Sequence, residues 1–411
     1  MSEHEHGANA VAPAVVRGRR VLAAVVVALV VATVLGLVLL RPVDGGTPDR
    51  VPDGGERVRG TVTATAQVPC GDPAFVVPDG EDGSWCVQVT VRIDQGSDAG
   101  ATVRQVGGEN ATGRADVGDR VVLIRSPGDV PLAERYQLSD VQRGRSLVAL
   151  TVLFAVAVVA LGRLRGLLAL AGLGVSLLLL VLWLVPALLD GRPPLLTATV
   201  GASAVMLVVL LLAHGPNVRT AIAVVGTAAS LVLTLGLAAL FVELASLSGI
   251  TSEEATYVQV LFGDLDLRGL LLAGVVIGAL GILDDVTVTQ VSAVYEVRAA
   301  DPAMSVRALY RAGLRVGRDH VASLVNTLLL AYAGASLPLL VIFTTSGEGL
   351  GGTLTNGVVA EEVVRTLVGS IGLVAAVPIT TALAAFMCPP AQSIQRRTER
   401  GGRPARRGPG C

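Results

Sequence analysis

Apolar residues along the chain fall into eight runs, separated by short polar connections and one long polar segment. A helix needs roughly 20 mainly apolar residues to cross a hydrocarbon core. Val21–Leu40, Leu147–Gly162, Gly166–Leu189, Pro194–Ala213, Thr220–Ala245, Gly269–Val288, Val321–Phe343 and Val363–Met387 reach or approach that length. The pattern predicts eight transmembrane helices. The first run is longer than a signal-peptide core and has no small-x-small cleavage site before Arg41, so it predicts an uncleaved anchor.

Residues 41–146 break the pattern. Val58–Val68 and Cys86–Ile93 alternate apolar and polar side chains, the period of half-buried strands, and Val117–Ile124 reads as a turn followed by a strand. Clusters of Gly, Asp and Pro at 78–83 and 96–100 separate them. The segment predicts a small antiparallel barrel or sandwich, with an OB-like form among the candidates. Cys70 and Cys86 both lie here. A disulfide between them would contribute about 3 kcal/mol on a chain-entropy argument, against an alternative of two unpaired thiols.

Composition sharpens the class. The chain of 411 residues is 52% hydrophobic and only 16% charged, where soluble chains carry about a quarter charged residues. A soluble enzyme is therefore not expected. The net charge of −1 and 3% aromatic content give nucleic acid nothing to bind. All basic residues are Arg, and their placement sets an orientation. With the N-terminus inside, the cytoplasmic segments hold Arg17, Arg19, Arg20, Arg163, Arg165, Arg219, five arginines from Arg298 to Arg318, and six in the tail. The short outside loops hold only Arg192, Arg268 and Arg365. Eight spans with both termini in the cytoplasm satisfy every short loop.

The organisation expected is thus a cytoplasmic tail at 1–20, an anchor at 21–40, an extracytoplasmic β domain at 41–146, a seven-helix membrane domain at 147–388, and a cytoplasmic Arg-rich tail at 389–411. In fold-class terms this is an all-α polytopic membrane bundle with a small extracytoplasmic β domain.

Ionisable groups inside a bilayer are costly and point to function by default. One region is dense in them. Gly274-Val-Val-Ile-Gly278 would let another helix approach closely, and Asp284, Asp285, Thr287, Thr289, Gln290, Ser292 and Glu296 follow. On a helix Asp285, Thr289, Ser292 and Glu296 share a face, with Asp284 and Thr287 on the neighbouring one. Counting ~1.5 Å per residue from Gly269 places Asp284 about 22 Å into a ~30 Å core. Adjacent carboxylates in low dielectric cannot both ionise cheaply, which suits a proton or cation carrier. The plain alternative is a helix that ends at Leu283, leaving both acids in the wet interface. On the seventh run, Asp319, His320, Asn326 and Thr327 enter from the same side and are candidate partners. His320 could shuttle protons, or simply pair with Asp319. Arg307, Arg311, Arg315 and Arg318 recur at helical spacing, predicting an amphipathic helix on the inner leaflet. No HExxH, P-loop, GxSxG or paired CxxC motif occurs. Enzyme activity, a cofactor and a metal site are not expected.

The runs GALGILDDVTVTQVSAVYEV and GRDHVASLVNTLLLAYAGASLPLL resemble the signature of the YibE/F family of bacterial multi-pass membrane proteins. The resemblance spans most of the chain. It implies a bacterial plasma-membrane location, and its polar motif positions are Asp284, Asp285, Thr287, Thr289, Gln290, Glu296, Arg318, Asp319, His320, Asn326 and Thr327. More loosely, the layout is similar to the proton-driven RND superfamily, an analogy of architecture alone. The function expected is a secondary transporter or exporter, proton-coupled through the Asp pair. The alternative is a non-transporting scaffold or stress sensor acting through the outer domain. The expected partners are the lipid bilayer and an unidentified small solute or cation, with a homo-oligomer left open.

Overall fold

The computed structural model describes residues 3–43, 56–69, 85–108, 115–126, 128, 130–263, 265–345 and 350–388. It divides into two compact units, one of residues 1–47 and 162–411, the other of residues 48–161.

Among the described residues the smaller unit holds one five-stranded sheet: β1 (Glu56–Pro69), β2 (Trp85–Ile93), β3 (Thr102–Gly108), β4 (Arg120–Arg125) and β5 (Tyr136–Val141). All pairings are antiparallel and the order is β3-β2-β1-β4-β5. Three of these strands fall on the segments whose alternation predicted them; β3 and β5 are additional. Val58, Val62, Val89, Val91, Ile93, Val103, Val121 and Leu123 project to one side and are buried together. The register slips between Val62 and Ala64, where a bulge sharpens the bend. The sheet curls far enough for Gln105 on β3 to donate to the Tyr136 carbonyl on β5 at 2.7 Å. It is therefore one curled layer rather than the two packed layers of a sandwich. Tyr136 is fully buried, and its hydroxyl donates to Asp98 at 2.8 Å. The expected Cys70–Cys86 pairing falls on Cys70, outside the described residues; Cys86 is buried in β2.

The larger unit is helical. Its elements are α1 (Glu3–Leu39), α2 (Gly144–Leu179, whose second part belongs here), a π-helical turn (Leu180–Leu184), α3 (Val185–Leu189), α4 (Pro194–His214), α5 (Val218–Leu244), α6 (Glu253–Leu261), α7 (Leu267–Ala300), α8 (Val306–Ala335), α9 (Leu337–Thr345), α10 (Leu350–Thr355) and α11 (Gly357–Met387). Side-chain caps set several starts: Asn217, Ser252, Asp266, Ser305 and Asn356 each accept a backbone N–H from the first turn. α2 breaks at Arg163, which has φ 50° and ψ −127°, a conformation non-glycine residues seldom adopt.

Among the described residues, six helical stretches are long and apolar enough to cross a membrane: Val16–Leu39, Gly144–Leu189, Pro194–His214, Val218–Leu244, Leu267–Ala300 and Gly357–Met387. The eight expected spans differ from these six in two places. The second and third runs form one stretch interrupted only at Arg163. The seventh is the apolar second half of α8, continued by α9 after Ser336. Glu3 to Arg20, expected as a tail, are helical and continuous with the anchor.

α5, α7 and α11 form the centre, with α4 against α7, α8 against α11, and α1 against α4 and α5. Leu210, Ile222, Val276, Leu280, Leu283, Val291, Leu309 and Leu373 are buried between them. The outer faces of α1 and α2 leave long rows of Val and Leu exposed, as contact with lipid requires.

Candidate functional site

α7 is apolar nearly all round, so packing rather than periodicity decides which polar stripe turns inward. Its buried face carries Leu280, Leu283, Asp284, Thr287, Gln290, Val291, Val294 and Arg298. The helix does not end at Leu283: it runs unbroken through both acids to Ala300.

Asp284 is only 8% exposed, and its Oδ1 is buried with no hydrogen-bond partner among the described residues. Opposite it, α5 presents Thr227, whose hydroxyl lies against the Asp284 carboxyl and 2.7 Å from the Thr287 hydroxyl. Thr287 also reaches the Asp284 carbonyl at 3.1 Å. Each threonine has one hydrogen to give, so the pair has two arrangements. In one, Thr287 donates to the Asp284 backbone and Thr227 donates to Thr287. In the other, Thr227 turns its hydrogen to the carboxyl and Thr287 donates to Thr227.

The helices come close here because of two glycines. A Cβ at Gly226 would sit 2.5 Å from the Thr380 hydroxyl of α11, and one at Gly372 would collide with Thr234. Thr380 is buried and its hydroxyl has no partner among the described residues. Ser230 and Thr234 instead donate to carbonyls of α5 itself, at 2.9 and 2.8 Å.

Asp285, Thr289, Ser292 and Glu296 lie on the other stripe and are exposed. Thr289 donates to the Asp285 carbonyl at 2.8 Å. The two acids are therefore adjacent in sequence but differ in surroundings. On α8, Asp319, Asn326 and Thr327 are also exposed and His320 is half-buried; Thr327 donates to Ser323 within its own helix. Of the eleven candidate residues, the structure brings Asp284 and Thr287 together at the α5–α7 seam and buries Gln290 below them.

Gln290 ties three helices. Its Nε2 donates to the Gly313 carbonyl of α8 at 2.9 Å and to the Thr381 hydroxyl of α11 at 2.7 Å. Thr381 in turn donates to Val377 at 2.6 Å. Gly313 and Gly317 make room: a Cβ on Gly313 would lie 2.9 Å from both Thr381 and Val294, and one on Gly317 would strike Val377 and sit 2.8 Å from the Gln290 carboxamide. Nearby, Arg298 is 3% exposed and donates to the carbonyls of Cys388 and Met304.

Sequence reasoning passed over Thr227 and the Gly313/Gly317 pair, and Pro378 with Thr380 and Thr381 suggested only a kink whose broken backbone bond the hydroxyls could repair. The signals were present. Thr227, Ser230 and Thr234 recur at helical spacing in an otherwise apolar run, and two glycines four apart mark a close crossing.

A pocket of about 470 Å³ opens at the α4–α5 turn. It is lined by Arg165, His214, Asn217, Arg219 and Thr220, with Val288, Val291 and Ser292 of α7 closing it. Residues 150–390 match the family model described as YibE/F-like protein, well over half the chain. The chain belongs to the YibE/F-like family. Both signature runs lie inside the matched region, so Asp284, Gln290 and the α8 residues are all part of the family portion. No curated protein and no solved structure matches the chain.

Proposed function

We propose that this YibE/F-like protein is a secondary transporter or exporter whose coupling proton or cation is carried by Asp284. The observation that supports this most is the buried Oδ1 of Asp284, with no partner among the described residues and set against the two-state Thr227–Thr287 pair. A carboxylate held between apolar helices without a counter-charge is costly. Protonating it or seating a cation beside it relieves that cost, and the threonine pair can follow by exchanging donor and acceptor roles. Asp285 is exposed on the other stripe and has no part in this step.

Eight spans with both termini in the cytoplasm, and the β unit outside, complete the proposal. The arginine distribution supports it. So does the break at Arg163, which divides an apolar helical stretch of 46 residues into two lengths that each approach a bilayer's thickness. Bacterial plasma membrane is the location that fits. No enzyme activity is proposed.

The test is proton uptake by proteoliposomes of the full chain under an imposed potential and pH gradient. Asp284→Asn should abolish uptake while the protein still inserts and stays monodisperse. Asp285→Asn should retain most of it. Full uptake by Asp284→Asn would end the proposal. A non-transporting scaffold acting through its outer unit is the competing reading, and it expects no flux from the wild type.

A further inference from the structure

The pocket at the α4–α5 turn is built differently from the rest of the larger unit. Three of its polar side chains are basic or titratable: Arg165 beyond the α2 break, His214 at the end of α4, and Arg219 in the first turn of α5. No carboxylate lines it among the described residues, and neither arginine has an ion pair among them. Arg219 is held instead by stacking its guanidinium over the Tyr295 ring, 4.4 Å from the centroid. That leaves its N–H edge uncommitted.

The first turn of α5, a helix of 27 residues, meets the same pocket. Asn217 takes the Thr220 N–H and gives its own amide to the His214 carbonyl, so it serves the turn. The N–H groups of Val218 and Arg219 lack intrahelical acceptors, and the helix dipole is positive at this end. An independent feature points to a ligand: Thr220 is 3% exposed, lines the pocket, and its hydroxyl has no partner among the described residues. A buried hydroxyl left unbonded costs about 1–3 kcal/mol, and a bound acceptor would remove that cost.

We propose that this pocket binds an oxyanion, a phosphate or carboxylate group, through Arg165, Arg219, the Thr220 hydroxyl and the N-terminus of α5. Two guanidinium groups supply charge-assisted hydrogen bonds, Thr220 donates from the floor, and Ser292 donates from α7. The volume suits a small organic anion or a lipid headgroup. The pocket's chemistry stands apart from the carrier reading. On the proposed topology it opens to the cytoplasm, so it would be loaded from inside.

The experiment uses the full chain in neutral detergent and in phosphatidylcholine nanodiscs. Inorganic phosphate is titrated by calorimetry, and retention of phosphatidylglycerol is read by native mass spectrometry. Saturable phosphate binding that weakens about tenfold or more in Arg219→Gln and several-fold in Thr220→Val supports the site with a free anion as its source. No phosphate binding, but one phosphatidylglycerol retained by wild type and lost in Arg219→Gln, supports it with a headgroup as source. Because Arg219→Gln also removes the Tyr295 stack, the exposed Arg165→Gln repeats both measurements without disturbing the core. Neither probe binding, or binding unchanged in Arg165→Gln and Thr220→Val, overturns it. Asp284→Asn should leave either result intact, so the carrier reading and this one fail separately.

Discussion

Gln290 shows how one carboxamide can fix the relation of three helices. Replacing it with Leu leaves the Gly313 carbonyl and the Thr381 hydroxyl facing an apolar surface. The expected loss is about 1–2 kcal/mol, in line with interhelical hydrogen bonds in membranes, read as a lower unfolding midpoint in detergent. Gly317→Ala should cost a similar ~1–3 kcal/mol by overpacking, because its Cβ meets Val377 and the carboxamide at once. In the sheet, burial and the hydrogen bond to Asp98 push the Tyr136 phenol up from its ordinary value. The stability it contributes is full below about pH 10 and is lost as pH rises through the raised value. An alkaline absorbance titration of wild type against Tyr136→Phe should show the variant with one fewer late-ionising phenol. At this scale the sequence supplied the polar residues of α7 and their two stripes. It could not say which stripe turns inward, because apolar residues flank both and a helix apolar all round carries no orienting signal. Asp284 and Asp285 were therefore indistinguishable until α5 and α11 were seen to pack on one of them.

At the scale of elements, the long apolar runs were legible because a helix satisfies its own backbone hydrogen bonds in a bilayer, so each span is one continuous apolar run. The strands were partly legible. β1 and β2 alternate over many residues, whereas β3 (TVRQVGG) and β5 (YQLSDV) are short and carry too few apolar positions to show a period. α8 was expected as two pieces, a surface helix and a span. It is one helix of 30 residues, since neither Gly nor Pro interrupts it strongly enough at the junction near His320. On the proposed topology the break at Arg163 separates two crossings. Periplasmic reporter fusions after residues 190 and 265 should be active and cytoplasmic reporters there silent, with the reverse after 164 and 216. An active periplasmic fusion at 164 would remove the odd crossing and invert everything before it.

For the whole molecule, the two compact units invite separate tests. If the helical unit carries transport, deleting residues 45–140 should alter solute preference or rate while leaving a proton flux that Asp284→Asn abolishes. If the smaller unit is the active part, the deletion should silence the protein in cells, and neutral replacement of Asp284 should be harmless. The division into units was readable from composition alone, since a polar segment of about 100 residues cannot be mistaken for membrane. The α5–α7–α11 centre was not, because helix neighbours are set by small residues such as Gly226 and Gly372 whose partners lie far along the chain.

The knot at Gln290 has a mechanical corollary. With α7, α8 and α11 pinned there, they can tilt about that point like blades on a rivet but cannot slide lengthwise without losing both of its bonds. A small swing near the rivet grows with distance along the blades. The threonine-lined seam around Asp284 lies almost two helical turns away, so it would widen under a motion that the pinned end scarcely registers.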